Sequence, residues 1–288
     1  MLLLACGLIL APHVVHATEA EPTRVVYSAG ENAEGYRYDD VREILRLALE
    51  KTEPEYGPFV LEKSKVFTNG LRDRRRLEAG EIQVLCYTTS MEMEHNFVPI
   101  RIPLRKGLLG YRVALIRKAD QGRFAQVQSA EDLRKFTVGQ GVGWDDGKVY
   151  AGHGIPVMEG QFNNLLKMLD HQRFDLLPRG LGQVQLDLSL YGKELPQVAI
   201  EEKLLFHYPW PYYFFFAKSN MALKNRVELG LRKMMKDGSF DAIFWRYNRL
   251  AIESLNLKQR RVIELRNPLL PKETPLDDAS LWFSPQLK

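Results

Sequence analysis

Short runs rich in β-branched and aromatic residues alternate with amphipathic helical patterns along most of this 288-residue chain. In residues 39–52, for example, Val41, Ile44, Leu45 and Leu49 form one apolar stripe at helical spacing. Strands that alternate with helices form βαβ units, and the chain is therefore predicted to be an α/β protein with mostly parallel sheets flanked by helices. The predicted strands cover residues 24–28, 59–64, 82–87, 111–118, 136–141, 155–160, 174–178, 196–200 and 212–218, and the predicted helices 39–52, 69–80, 129–136 and 161–172.

Two segments share one pattern, "LEAGEIQVL" (77–85) and "LDHQRFDLL" (169–177). Each is predicted to be the end of a helix that leads into a short buried strand, and each is followed by a polar stretch. The two halves of the chain are therefore predicted to be two lobes of similar plan. In open α/β sheets ligands bind outside the carboxyl ends of the strands, so the two polar stretches are expected to face each other across a cleft.

Charge argues against nucleic acid as a partner. Lys and Arg number 40 against 36 Asp and Glu, and apart from the clusters at 71–76 and 258–261 the basic residues are scattered. Both clusters are interpreted as solvated surfaces.

The first residues, "MLLLACGLILAPHVVHA" (1–17), resemble an export signal with small or compact residues before the expected cleavage site. A lipoprotein signal that ends at Cys6 is the alternative. Cleavage would leave Cys86 as the remaining cysteine, so no intrachain disulfide is expected. No later stretch has the roughly 18–20 apolar residues of a membrane-spanning helix.

The segment "FTVGQGVGWDDGKVYAGHG" (136–154) places glycines at 139, 141 and 143 directly after a predicted strand. The spacing is not that of a dinucleotide fingerprint, because Trp144 stands where the third glycine belongs, and no phosphate-binding Gly-Lys-Ser/Thr occurs. Two interpretations remain open: a tight turn without a ligand, or a turn whose backbone N–H groups bind a carboxylate or another anion.

Several side chains near this turn also allow two interpretations. Trp144 either forms a pocket wall or fills the core, and Asp145 or Asp146 either caps the next helix or pairs with a cationic group of a ligand. Arg179 follows a predicted strand, where a guanidinium suits bidentate binding of an anion, with a salt bridge to a neighbouring acid as the alternative. Arg101 faces either the cleft or solvent.

Residues 207–216, "HYPWPYYFFF", contain two prolines that exclude a helix, and they are predicted to cross between the lobes in extended form. Helical spacing returns after residue 219. The proline-rich tail 266–288 is predicted to pack as an extended strap anchored by Trp282 and Phe283.

The sequence suggests neither an enzyme nor a metalloprotein. The six histidines show no metal-ligand spacing, no nucleophile motif occurs, and Cys86 lies in a predicted buried strand. We therefore expect no catalytic residue, no metal and no cofactor, although a carboxylate pair of the glycosidase type remains an open alternative.

The order of these parts resembles the family 3 periplasmic solute-binding proteins, the amino-acid receptors of ABC importers. The resemblance covers residues 22–265, through "LEAGEIQVL", "FTVGQGVG", "LDHQRFDLL" and "KDGSF" (236–240). It implies a two-lobed type II periplasmic binding-protein fold that closes on a small solute by hinge bending. The implied divisions are an export signal at 1–17, lobe 1 at 22–112, lobe 2 at 113–210, a return to lobe 1 at 211–265 and the strap at 266–288.

The resemblance also implies a ligand site. The predicted ligand-binding residues are Tyr36, Tyr87, Thr88, Thr89, Ser90, Arg101, Gly141, Gly143, Trp144, Asp145 and Arg179. The chain departs from the family at 91–94, where "MEME" replaces the motif whose arginine clamps an α-carboxylate, and at Gln83, where the family has an aspartate. Arg101 or Arg179 is the expected substitute, and the expected solute is small, polar and anionic, either amino-acid-like or an organic acid.

The resulting hypothesis is a periplasmic, monomeric solute receptor that serves an ABC importer or a membrane sensor. The alternatives are a secreted cell-wall hydrolase on the same two-lobed frame and a derivative that binds another protein through its cleft rim.

Overall fold

The structure, a computed structural model, describes residues 21–29, 38–68 and 70–285, so the predicted export signal and Tyr36 lie outside the described residues. The strands are Thr23–Tyr27 (β1), Phe59–Lys63 (β2), Leu85–Thr88 (β3), Val98–Ile100 (β4), Tyr111–Arg117 (β5), Val138–Gly141 (β6), Val157–Gly160 (β7), Leu176–Gly180 (β8), Val198–Ile200 (β9), Leu204–His207 (β10), Tyr212–Phe216 (β11) and Arg261–Glu264 (β12). The α-helices are Asp39–Glu50 (α1), Glu53–Tyr56 (α2), Gly70–Glu78 (α3), Met91–Asn96 (α4), Gln121–Ala125 (α5), Asp146–Gly152 (α6), Phe162–Asp170 (α7), Leu181–Tyr191 (α8), Met221–Asp237 (α9) and Ser239–Ser254 (α10).

The first lobe is built on β1, β2, β3, β4 and β11. β1 pairs with β2 in parallel, and a parallel bridge between Tyr27 and Val84 joins β1 to the segment that leads into β3. β11 lies antiparallel between β3 and β4. The stripe predicted on α1 is buried: Val41, Ile44 and Leu45 pack in one core with apolar residues of α9 and β11.

The second lobe is built on a sheet with the strand order β12-β10-β5-β8-β6-β7, and β9 pairs alongside β5. The βαβ strands β6, β7 and β8 pair in parallel, as the alternation of strands and helices predicts. The antiparallel pairings in this sheet are those of β5, which enters from the first lobe. In the second lobe β5 thus runs opposite to the strands beside it, and in the first lobe β11 runs opposite to β3 and β4.

The chain passes between the lobes in two segments, residues 101–110 after β4 and residues 208–211 after β10. The aromatic residues of the second crossing divide between two cores. Tyr208 and Trp210 pack in the second lobe, whereas Phe214 and Phe216 pack in the first. The predicted extended crossing at 207–216 is confirmed, and burial of these rings accounts for its composition.

Three features of the local structure differ from the sequence predictions. The helix predicted at 129–136 is a short 3₁₀ turn, Glu131–Lys135, at whose start the Asp132 carboxylate accepts the backbone N–H groups of Gln128 and Ser129. β4, β10, β12, α2, α4, α5, α6 and α8 were not predicted. β12 pairs with β10 in the second sheet, although the predicted divisions place residues 261–264 in the return to lobe 1.

The tail after β12 is held against the first crossing. The ring of Trp282 lies on Gly107, where an added Cβ would be 2.3 Å from the ring, and Trp282 Nε1 donates to the carbonyl of Pro275 at 2.8 Å. The N–H of Phe283 donates to the carbonyl of Lys106 at 2.7 Å. Within the described ranges, no helix has the length and apolar character needed to cross a membrane.

We expect Trp282→Ala to lower the free energy of unfolding by about 2 kcal/mol, less than the ~3–5 kcal/mol of a fully buried Trp because this side chain is only half-buried. Denaturation in guanidinium followed by circular dichroism measures the change. Leu276→Ala is the matched control, since Leu276 lies in the same tail but is 48% exposed, and it should change stability by less than about 0.5 kcal/mol. Equal effects of the two variants would contradict an anchoring role for Trp282.

Candidate functional site

A cavity of about 550 Å³ lies between the two lobes, a size in the range of small-molecule sites. The carboxyl ends of β1, β3 and β8 lead into it, as expected for ligand sites in open α/β sheets. Among its lining residues are Tyr27, Ser28, Tyr38, Arg42, Asp73, Tyr87, Thr88 and Tyr212 from the first lobe and Arg112, Gly143, Trp144, Asp145, Asp146, Phe162, Arg179, Gly180 and Gln183 from the second.

Some of the predicted site residues line this cavity and others do not. Those that do are Tyr87, Thr88, Gly143, Trp144, Asp145 and Arg179. Thr89, Ser90, Arg101 and Gly141 are not among its lining residues, and Tyr36 lies outside the described part of the chain.

The unpredicted helix α4 accounts for three of the residues that do not line the cavity. The side chain of its Glu94, 7% exposed, accepts hydrogen bonds from the hydroxyl of Thr89 at 2.6 Å and from Nε of Arg101 at 3.0 Å. Ser90 caps the same helix by accepting the N–H of Met93 at 3.1 Å. Arg101 is thus held by an acid of its own lobe, and the expectation that it faces the cleft is wrong.

The glycine turn lies on the second-lobe side of the cavity. Gly141 is buried beneath the indole of Trp144, and a Cβ added there would lie 2.4 Å from that ring. Gly143 has a φ of 79°, which favours glycine, and its backbone borders the cavity. The turn therefore holds Trp144 as part of the cavity wall.

The two acidic residues after the turn have different partners. Asp145 occupies the N-cap position of α6, but its carboxylate makes no cap hydrogen bond and instead pairs with Lys148 at 2.6 Å. The carboxylate of Asp146 accepts from Nε of Arg112 at 3.1 Å and from the hydroxyl of Tyr208. The interpretation of either side chain as a helix cap is therefore wrong.

Arg179 lies on the cavity wall with an acid beside it. Its Nε donates to Asp187 of α8 at 2.5 Å, and both side chains are buried. The guanidinium carbon lies 4.8 Å from the ring centroid of Trp144 and 5.3 Å from that of Phe162. The salt bridge weighed as the alternative for this arginine is present, and two aromatic rings enclose the guanidinium.

Arg112, the second residue of β5, was not among the predicted site residues. It is 6% exposed, and its Nε and Nη2 donate to Asp146 at 3.1 and 3.0 Å. Burial by itself lowers the pKa of Arg112, but Tyr208 and Asp146 together raise it above its ordinary value, so the charge is retained. Nη1 is also buried, and it has no hydrogen-bond partner among the residues described.

The sequence does contain a signal that could have identified this residue, namely an arginine at the start of the apolar strand "YRVALIR". A buried strand rarely accepts a charge without a specific partner. The partners of Arg112 lie 34 and 96 residues away, and no local pattern relates them.

The first-lobe wall carries a second charged group. The buried carboxylate of Asp73 accepts the hydroxyls of Ser28 and Thr68 and lies 3.4 Å from Arg76. Arg42 lies over the ring of Tyr27 and pairs with Asp39 at 3.3 Å, while its buried Nε has no hydrogen-bond partner in the described part of the chain. No group of His, Cys, Asp or Glu suited to a metal ion occurs in the described ranges.

No protein-family model matches the chain, and no curated protein is similar to it in sequence. Solved structures are similar in fold. An ancestral arginine-binding protein bound to glutamine superposes with a TM-score of 0.53 at 18% identity, over 81% of this chain and 99% of that one. The ligand-binding core of GluR0 in complex with L-glutamate gives 0.53 at 12% identity, over 80% and 99% of the two chains.

A histidine kinase sensor domain with similarity to periplasmic binding proteins gives a TM-score of 0.51 at 15% identity, over 78% of this chain and 96% of that one. At such identities the likeness establishes the fold. The predicted two-lobed type II periplasmic binding-protein architecture is therefore confirmed, and so is the resemblance in fold to amino-acid-binding receptors.

Proposed function

We propose that this protein is an extracytoplasmic, monomeric solute-binding protein that closes its two lobes on one small, polar, anionic solute. It would deliver the solute to an ABC importer or report it to a membrane sensor. The observation that carries the proposal is the cavity between the lobes, into which the ends of strands from both sheets direct charged and aromatic side chains.

The preference for an anion rests on how the charges of the cavity are paired. The lining aspartates already accept from donors of the protein: Asp73 from Ser28, Asp145 from Lys148 and Asp146 from Arg112. Arg42 and Arg112 each keep one buried N–H group that lacks a partner among the described residues. A buried donor without an acceptor costs about 1–3 kcal/mol, so an acidic group that supplies the acceptor is favoured.

Closure would use the two crossings, residues 101–110 and 208–211, as hinges. As the lobes approach, water leaves the cavity, and the attraction between a guanidinium and an anion strengthens because the local dielectric constant falls. The aromatic side chains of both walls, such as Tyr87 and Trp144, would cover the apolar part of the solute.

We expect the mature protein to be stabilised by a narrow set of acids in a thermal-shift screen of dicarboxylates, sugar acids, amino acids, polyamines and neutral amides. A ligand present at a hundred times its Kd adds about 2.7 kcal/mol to the free energy of unfolding. Small-angle X-ray scattering should show a smaller radius of gyration with the best ligand than without it. NMR spectra of the ligand should show that it is not chemically changed by the protein.

The possible failures have distinct meanings. A flat response across the whole panel would contradict solute binding and favour a protein that binds another protein through its cleft rim. Consumption of a compound would favour the hydrolase alternative. A response to polyamines alone would retain solute binding but overturn the preference for an anion.

A further inference from the structure

The N-terminus of α8 lies in the wall of the cavity next to Arg112. Gly180 precedes the helix, and its backbone pairs with Arg112 across β8 and β5. A Cβ added to Gly180 would lie 3.1 Å from Nη1 of Arg112, so this guanidinium lies close to the residue that precedes the helix. The helix has 11 residues, enough for a positive partial charge at its N-terminus.

This place already holds an acceptor that belongs to the protein. Oε1 of Gln183 accepts the N–H of Gly180 at 3.2 Å, and the same oxygen would lie 3.2 Å from a Cβ added to Gly180. Oε1 of Gln183 and Nη1 of Arg112 therefore both lie near this glycine, and Nη1 makes no hydrogen bond to that oxygen. Gln183 lines the cavity and is only half-buried, so its side chain has room to turn outwards.

A neutral amide oxygen is a weaker acceptor at this position than an anionic oxygen would be. Hydrogen bonds to ionised groups are roughly twice as strong as those between neutral groups. The nearby charges are otherwise balanced, since Asp146 pairs with Arg112 and Asp187 pairs with Arg179. The positive end of α8 and the unpartnered Nη1 hydrogens of Arg112 remain to attract an anion.

We infer that the acidic group of the solute binds at the N-terminus of α8, where it displaces the side-chain oxygen of Gln183 and accepts from Gly180 N–H and Arg112 Nη1. This inference rests on the proposed function and names the subsite within it. In the absence of solute, the side-chain oxygen of Gln183 would accept the N–H of Gly180 in place of the solute. Gln183 would therefore compete with the acidic group and lower the affinity for the solute.

Gln183→Glu tests the inference, because it places a carboxylate of the protein where the solute's acid would bind. The variant should fold with unchanged or higher Tm and lose at least 100-fold in affinity for every acid that the wild-type protein binds. Gln183→Ala removes the substitute acceptor and should tighten binding about threefold to tenfold. Arg112→Lys keeps the positive charge but places it on a side chain with a shorter reach towards the solute. This variant should weaken binding about tenfold or more.

Gln185→Glu is the matched control. It makes the same chemical change on the same helix. Nε2 of Gln185 donates a hydrogen bond to Oγ of Ser254 at 2.6 Å, and Gln185 is not among the lining residues of the cavity. The affinity of Gln185→Glu for each acid should stay within twofold of that of the wild-type protein. The probes are succinate, glutarate, L-glutamate and galacturonate, with succinamide as the neutral counterpart, titrated by calorimetry.

The outcomes separate the subsite from the function. If the wild-type protein binds an acid and Gln183→Glu retains that affinity within threefold, the subsite is wrong and the proposed function stands. Binding of succinamide as tightly as succinate would also overturn the inference. If no compound of the whole screen binds the wild-type protein, the proposed function fails and the subsite with it. Should Gln183→Glu not fold, Gln183→Ala and Arg112→Lys decide the question.

Discussion

Replacing Gly230 by Val should lower the free energy of unfolding by more than about 3 kcal/mol. Gly230 lies in α9 where this helix crosses α1, and an added Cβ would be 2.1 Å from the carbonyl oxygen of Ala48 and 2.6 Å from its carbon. Both atoms belong to the backbone, so no side-chain rotation can relieve the clash. The two helices would have to separate over a core that includes Leu45 and Leu231.

Guanidinium denaturation followed by circular dichroism measures this loss. Gly122→Ala in α5 is the matched control, because an added Cβ there meets nothing within 4 Å. It should leave stability unchanged or raise it by up to about 1 kcal/mol, since Ala has the higher helix propensity. A loss of less than about 1 kcal/mol in Gly230→Val would show that α1 and α9 can separate easily at this point.

Replacing Asp187 by Ala should lower the free energy of unfolding by about 3–5 kcal/mol. The variant removes the carboxylate that lies 2.5 Å from Nε of Arg179, while the guanidinium, 4% exposed, stays buried between Trp144 and Phe162. The cost of breaking a buried ion pair comes mainly from the charge that is left behind.

Two comparisons identify the cause of this loss. Asp145→Ala breaks the exposed pair with Lys148 and should cost less than about 1 kcal/mol, because solvent screens that pair. The double variant Arg179→Leu and Asp187→Leu removes both buried charges and should recover most of the stability. If the double variant were less stable than Asp187→Ala, the loss would come from packing around the two side chains and not from the broken ion pair.

The alternation of strand and helix patterns predicted most of the fold, because its long elements carry a clear period. Failures are concentrated in short or mixed segments. α4 has six residues, too few for a helical stripe, and β10 has four. In α8, Leu186, Leu188 and Leu190 recur at every second position, which is typical of a strand, although the chain forms a helix after β8.

The candidate site was predictable in its location but only partly in its charges. Polar residues after strand ends indicated a cleft, and Tyr87, Gly143 and Trp144 line the cavity as expected. Arg101 was misplaced because its partner Glu94 lies on the unpredicted α4. Arg112 was missed because Asp146 and Tyr208, which hold its guanidinium, come from distant segments.

The sequence by itself determined the α/β plan, because the period of apolar residues within each segment dictates which face must be buried. The repeated pattern at 77–85 and 169–177 indicated two lobes. Only the tertiary structure decided which arginine faces the cavity with a guanidinium nitrogen that has no hydrogen-bond partner among the described residues. A guanidinium is held by whichever carboxylates and hydroxyls the fold brings within about 3 Å. In this chain Asp146 of α6 and Tyr208 of the second crossing reach Arg112 of β5 only once these three segments have assembled.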